Sequence, residues 1–109
     1  MTSNTLLERL AEGPIVGDGA MGTYLHELGH DIRDGAEDLV ISDPDTVRRV
    51  HRAYIEAGAE LLESNTFAAN RLALAPLGES FDVRALNATA VRLAHEAAAG
   101  RTWVAGAVG

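Results

Sequence analysis

Cysteine is absent from this sequence, and its absence excludes several kinds of chemistry. Without it the 109 residues can form no disulfide, supply no thiol nucleophile and contribute no cysteine ligand to zinc. Apolar runs are short, none approaching the roughly 18 consecutive apolar residues of a membrane-spanning helix. The first residues also lack the basic-then-apolar layout of a secretory signal. We therefore expect a cytoplasmic chain with no membrane partner.

Basic residues are few as well. The sequence contains nine Arg and Lys residues and 16 Asp and Glu residues, which gives a net charge of -7. The basic residues form no cluster. Nucleic-acid binding needs a concentrated basic surface, so nucleic acid is not an expected partner. Apolar residues make up 47% of the chain, enough for the core of one small domain or of a piece of a larger one.

Short apolar segments alternate with amphipathic ones. Strands are predicted at residues 15–16, 59–63 and 103–108. The predicted helices are a short one capped by Ser3 and ended by Gly13, one from Asp43 and Pro44 to Gly58, one near residues 68–77, and one over residues 82–99 before Gly100.

This alternation predicts an α/β fold with a parallel sheet, because each crossover is long enough to contain a helix. We treat residues 1–109 as one continuous structural unit. The sequence stops at Gly109, directly after the third predicted strand, and no helix follows to cover that strand. We therefore expect the N-terminal portion of a larger domain, truncated after the third strand.

The segment GDGAMGTYLHELGH, residues 17–30, matches a glycine pattern G-x-G-x-x-G at Gly17, Gly19 and Gly22. A dinucleotide site would also need an acidic residue after a second apolar strand, whereas Glu37 precedes the next apolar run. Asp18 inside the loop would repel a pyrophosphate. Nucleotide binding is therefore not favoured.

The same segment contains H-E-x-x-H from His26 to His30. On a helix the two histidines would lie one turn apart and could hold zinc while Glu27 activated a water molecule. The extended pattern with a further Gly and His is absent after His30. An exposed helical turn with two solvated histidines is the favoured interpretation, and a small zinc metalloprotease stays a minor alternative.

Polar residues follow two of the predicted strands. Residues 18–23 come after the first strand and residues 63–67 after the second, so both segments would project from the carboxyl edge of one parallel sheet. Ligands bind at that edge in βα folds.

Four segments carry a resemblance to a known family: DGAMGT, HRAYIEAGAELLESNTFAANR, NATAVRLAHEA and the closing VAGAVG. They resemble the N-terminal part of the homocysteine S-methyltransferase family over nearly the whole chain. The segment ESNTF followed by ANR is most similar to bacterial members joined to a methylenetetrahydrofolate reductase and to the homocysteine domain of cobalamin-dependent methionine synthase.

The resemblance implies a (βα)8 barrel, of which this chain is about the first three βα units, and transfer of a methyl group to homocysteine to give methionine. Zinc would bind the thiol as a thiolate. Family members hold zinc with three cysteines in later strands, so the resemblance assigns no metal ligand and no catalytic residue to this chain, which we expect to be inactive alone. The methyl donor, whether folate, cobalamin or an S-methyl compound, is not distinguished.

By position, the resemblance places Asp18 near the homocysteine amino group, Gly19 and Ala20 in the pocket backbone, and Ser64 at a hydroxyl position. Glu63, Asn65 and Thr66 line the same edge. Alternatively, Asp18 stabilises only the turn and Asn65 with Thr66 caps the next helix, and the chain is a non-catalytic amino-acid-binding module. Four other side chains are expected in structural roles: Met21 and Phe67 in the core, His51 and His95 on the surface.

Overall fold

The described chain combines helices with two short parallel strands, in agreement with the predicted α/β class. The computed structural model describes residues 5–31, 35–77 and 82–109. In chain order the elements are α1 (Leu6–Ala11), α2 (Met21–Glu27), α3 (Leu39–Ser42), α4 (Pro44–Glu56), β1 (Leu61–Glu63), α5 (Arg71–Leu74) with a 3₁₀ turn (Ala75–Leu77), α6 (Val83–Ala98) and β2 (Trp103–Ala105).

The sheet is parallel, with β1 between two neighbours. On one side β1 pairs with β2, placing Leu61 opposite Trp103. On the other side the segment before α2 makes a single parallel bridge from Gly17 to Leu61. All three segments therefore end at the same carboxyl edge, which confirms the predicted class and strand direction.

The strand predicted at residues 15–16 is wrong, because those residues form no strand and only the next residue, Gly17, makes a bridge. The Val16 carbonyl accepts two consecutive N–H groups of the neighbouring chain, from Glu60 at 2.7 Å and Leu61 at 3.3 Å. The Asp18 N–H then donates to the Leu61 carbonyl at 3.0 Å. Pairing that converges on one carbonyl does not build the evenly spaced ladder of a parallel strand.

Local capping signals predicted the longer helices well. The Asp43 carboxylate accepts the Thr46 N–H at the start of α4, with Pro44 at the first helical position, as predicted. Asp82 likewise accepts the Ala85 N–H at the start of α6. The predicted cap Ser3 lies outside the described residues, and the hydroxyl of Thr5 caps α1.

The helix predicted near residues 68–77 begins later than expected. Asn70 caps α5 by accepting the Ala73 N–H at 2.9 Å, and the helix becomes a 3₁₀ turn after Leu74. The alternative role of Asn65 and Thr66 as helix caps is therefore wrong. The strand predicted at residues 103–108 is confined to Trp103–Ala105.

The core lies where α4 and α6 pack against the sheet and against α3. One cluster includes Val47 of α4 with Leu86 and Leu93 of α6, and a second joins Leu25 of α2 to Val50 of α4. Met21 packs against both clusters, which confirms its predicted structural role.

One core side chain contradicts the sequence interpretation. His51 of α4 was predicted on the surface but is 0% exposed. It follows Val50 directly, on the broad buried side of an amphipathic helix, and spacing alone does not show how far around the helix that side extends. His95 is exposed, as predicted.

Within the described residues, no helix is both long and apolar enough to cross a membrane.

Candidate functional site

Asp18 lies where the first segment of the sheet ends and the turn toward α2 begins. Its main-chain N–H donates to the Leu61 carbonyl, and its carboxylate Oδ2 accepts the Glu63 N–H at 3.1 Å. The carboxylate thus takes the place of the next main-chain acceptor beside β1. This arrangement anchors the side chain at the carboxyl edge of the sheet.

The Asp18 carboxyl has a raised pKa. Partial burial is the main cause, and the negative charge of Glu63 adds to it, while the bond from the Glu63 N–H acts in the opposite direction. A half-buried carboxylate is a favourable partner for an incoming cation.

The turn after Asp18 packs against an aromatic side chain that sequence reasoning did not identify. The Tyr54 hydroxyl of α4 donates to the Ala20 carbonyl at 2.7 Å. A Cβ at Gly19 would lie 2.9 Å from the same hydroxyl oxygen, so only glycine lets the turn and the ring approach this closely. Tyr54 was missed because its contact comes from helix packing and not from the loop motif.

The hydroxyls of Ser64 and Thr66 join the ends of β1 and β2. Thr66 donates to the Ala107 carbonyl at 2.7 Å, and the Ala107 N–H donates to the Ser64 hydroxyl oxygen at 3.2 Å. The two hydroxyl oxygens are 2.7 Å apart. Because the Thr66 proton is directed at Ala107, the Ser64 hydroxyl is the donor in that pair. Both side chains are buried in this hydrogen-bonded ring.

Asn65 and Glu37 attach a further segment to the same edge. The Asn65 amide donates to the Ala36 carbonyl at 2.9 Å, and the Glu37 carboxylate accepts the Ala68 N–H at 3.1 Å. Glu37 was considered in the sequence only as part of a rejected nucleotide motif. Its position here results from the path of the chain between α2 and α3, which no short pattern encodes.

These segments surround one open cavity of about 440 Å³. All seven residues predicted as substrate-binding line it, namely Asp18, Gly19, Ala20, Glu63, Ser64, Asn65 and Thr66. Eight more of the described residues line it: Met21, Gly22, Gly35, Ala36, Glu37, Phe67, Ala68 and Ala107. The structure brings the predicted residues together, and their contact with a ligand stays a prediction.

The wall combines three carboxylates with mostly apolar surface. Asp18, Glu37 and Glu63 supply negative charge, and none of the lining residues that the structure describes is Lys or Arg. Phe67 was predicted in the core but is 68% exposed, so that prediction is wrong. An acidic, partly apolar cavity of this size suits a small ligand with a cationic group and an apolar body.

The H-E-x-x-H segment does not form the helical pair that zinc binding would need. α2 ends at Glu27, and Gly29 has a φ of +92°, which turns the chain out of the helix. The His30 N–H donates to the Leu25 carbonyl and the Gly29 N–H to the His26 carbonyl, the Schellman pattern of a helix end. His30 lies 3.9 Å from the Asp43 carboxylate instead. In the described part of the chain no group of three or more His, Asp or Glu side chains could hold a metal ion.

The chain is similar in sequence to a family of known function. Residues 15–109 match the model of the family described as homocysteine S-methyltransferase. The chain belongs to the homocysteine S-methyltransferase family. This confirms the resemblance seen in the sequence.

Individual relatives agree with that membership. The methionine synthase of Mycobacterium leprae (strain TN) is 44% identical over 71 residues, and that of Mycobacterium tuberculosis (strain ATCC 25618 / H37Rv) is 39% identical over 71 residues. Each alignment covers 60% of this chain and 6% of the relative.

Solved structures of the homocysteine methyltransferase MmuM from Escherichia coli have a similar fold. The oxidized form matches with a TM-score of 0.80 at 27% identity, and the metallated form with 0.79 at 29% identity. Each match covers 97% of this chain and 41% of the MmuM chain. The chain therefore spans less than half of these relatives.

Proposed function

We propose that this chain is the homocysteine-binding portion of a methyltransferase that converts homocysteine to methionine, and that it forms the first βα units of a (βα)8 barrel. One observation carries the proposal. Asp18 and residues 63–66 leave neighbouring parallel segments at the same edge and meet around one acidic cavity. The family membership and the similarity to MmuM support this assignment.

In this proposal the cavity binds the amino-acid end of homocysteine. The Asp18 carboxylate accepts a hydrogen bond from the ammonium group. This charged contact offsets the solvation that the carboxylate loses through burial. The backbone N–H groups of Gly19 and Ala20 face the carboxylate of homocysteine. Ser64, Asn65 and Thr66 shape the wall, since their polar groups are already bonded to Ala36 and Ala107.

The family resemblance also implies zinc, which lowers the pKa of a bound thiol and so supplies a thiolate nucleophile. The residues of this chain do not fit that metal, because the chain has no cysteine and its described residues form no cluster of ligands. We therefore assign no step of the reaction through zinc to these residues. We expect no methyl transfer by the 109 residues alone.

The proposal is tested by titrating homocysteine, kept reduced, into the ¹⁵N-labelled chain and following amide chemical shifts, which detect weak binding. We expect shifts at residues 18–22 and 63–67. Asp18→Asn should weaken binding about tenfold or more, the usual effect of losing a charged hydrogen bond. Asp38→Asn, at an exposed carboxylate outside the cavity, is the matched control.

A second ligand separates recognition of the amino group from apolar binding. 4-Mercaptobutyrate keeps the thiol and the carboxylate of homocysteine but lacks its ammonium group. It should bind the unsubstituted chain no better than homocysteine binds Asp18→Asn. Equal homocysteine affinity in the Asp18→Asn and unsubstituted chains, or shifts confined to other surfaces, would contradict the proposal.

A further inference from the structure

Tyr54 of α4 contacts the turn that follows Asp18. Its ring packs edge-to-face against Tyr24 of α2, with centroids 5.6 Å apart and planes at 69°. Tyr54 is also half-buried against the cluster that includes Leu25 and Val50. Two helices therefore hold the ring before it meets the turn.

The turn is held at two consecutive residues. The Tyr54 hydroxyl donates to the Ala20 carbonyl at 2.7 Å, and the ring occupies the space where a Cβ of Gly19 would lie, with Cε1 at 3.0 Å and Cζ at 3.1 Å from it. A hydrogen bond and a close steric contact on neighbouring residues restrict both translation and rotation of the peptide that links them. Asp18 is the next residue back along the chain.

The position of the Asp18 carboxylate in turn depends on how firmly the turn is held. The carboxylate accepts the Glu63 N–H at 3.1 Å, on the side of β1 away from β2, so a shift of the turn would weaken that hydrogen bond. The charge of Asp18 also raises the pKa of Tyr54, after the larger effect of burial, which is consistent with the nearness of the two side chains.

We propose that Tyr54 is a positioning residue of the homocysteine site, holding the Gly19–Ala20 turn so that the Asp18 carboxylate stays at the cavity wall. The inference rests on the proposed function, because the position of Asp18 matters to a ligand that binds through it. Tyr54 itself is not among the residues that line the cavity.

Tyr54→Phe tests the hydroxyl while keeping the ring. Amide hydrogen exchange at Glu63 should become about fivefold faster, the scale of one lost hydrogen bond, because its acceptor on Asp18 becomes more mobile. Exchange at Ser64 should not change, since that N–H donates to Ala105 on the other side of β1. Tyr24→Phe is the control, because it removes a hydroxyl from the neighbouring ring and leaves the bond from Tyr54 to Ala20 in place.

The same variants separate positioning from general structural support. Tyr54→Phe should lower homocysteine affinity about fivefold in the unsubstituted chain and have no further effect in Asp18→Asn, because Tyr54 acts through Asp18. Gly19→Ala should accelerate Glu63 exchange as well, since its Cβ would displace the Tyr54 ring.

The outcomes distinguish the two proposals. If the unsubstituted chain does not bind homocysteine, the proposed function fails, and the Glu63 exchange rates still decide whether Tyr54 holds Asp18. Unchanged Glu63 exchange in Tyr54→Phe would overturn the positioning role even if homocysteine binds. A fivefold affinity loss that persists in Asp18→Asn would also overturn it, because Tyr54 would then act independently of Asp18.

Discussion

At the scale of single residues, Asp18 shows a conflict between binding and stability. Its pKa is raised from 3.8 in the folded chain, chiefly by burial, so the fold favours the protonated carboxyl. The folded state then binds the proton more tightly than the unfolded state does. The stabilisation from this group is complete below pH 3.8 and is lost as the pH rises through the higher folded value. At neutral pH the ionised Asp18 carboxylate therefore lowers the stability of the fold. The same negative charge is what a cationic ligand would bind.

This conflict makes Asp18→Asn a stabilising change. The amide oxygen can still accept the Glu63 N–H, and the half-buried charge is removed. We expect the free energy of unfolding at pH 7 to rise by roughly 0.5 kcal/mol, a small value because solvent screens the site. Urea unfolding measures it, and the gain should vanish below pH 3.8, where Asp18 is itself protonated. A less stable Asp18→Asn at pH 7 would show that burial does not penalise this charge.

At the scale of elements, the structural features that could be predicted are those determined by residues close together in the sequence. Asp43 and Pro44 define the start of α4 because both signals act within one helical turn. The residues of the cavity edge were also predicted, since parallel strands bring their carboxyl ends together. Their bonding was not: the partner of Thr66 is Ala107, which lies 41 positions away. Contacts between distant elements, such as Tyr54 with Ala20, depend on packing that no local pattern contains.

The ring formed by Ser64, Thr66 and Ala107 is the element-scale contact that we expect to matter most for stability. Thr66→Val keeps the shape of the side chain but leaves the Ala107 carbonyl and the Ser64 hydroxyl without their partner. We expect a loss of about 1–3 kcal/mol in the free energy of unfolding. Thr23→Val, at an exposed position of α2, should change it by about 0.5 kcal/mol or less. Equal effects of the two substitutions, measured by urea unfolding, would argue against the ring as a link between β1 and β2.

At the scale of the whole molecule, the packing of α4 on α6 makes stability depend on pH. Arg48 of α4 donates to Glu96 of α6 at 2.7 Å and lowers the pKa of that carboxyl. On the same helix His51 is fully buried, and both of its ring nitrogens lack hydrogen-bond partners among the described residues. Burial lowers the pKa of His51 from 6.5 to about 4. Between pH 6.5 and about 4, His51 is therefore protonated in the unfolded chain and neutral in the folded chain.

We expect protonation of His51 in the unfolded chain to lower the free energy of unfolding progressively in mild acid. Because the folded pKa of His51 is depressed, its contribution to stability is present above pH 6.5 and is lost as the pH falls toward 4. The difference between those two values corresponds to about 3 kcal/mol. Glu96 adds to the loss at lower pH, since its lowered pKa makes its stabilisation disappear as the carboxyl becomes protonated below its ordinary value of 4.5. His51→Leu should remove most of the dependence between pH 6.5 and about 4, leaving the contributions of the carboxyl groups, whereas His95→Gln, at an exposed position of α6, should leave it intact. Urea unfolding across this pH range measures both variants, and a slope in His51→Leu equal to that of the unsubstituted chain would show that another group takes up the proton.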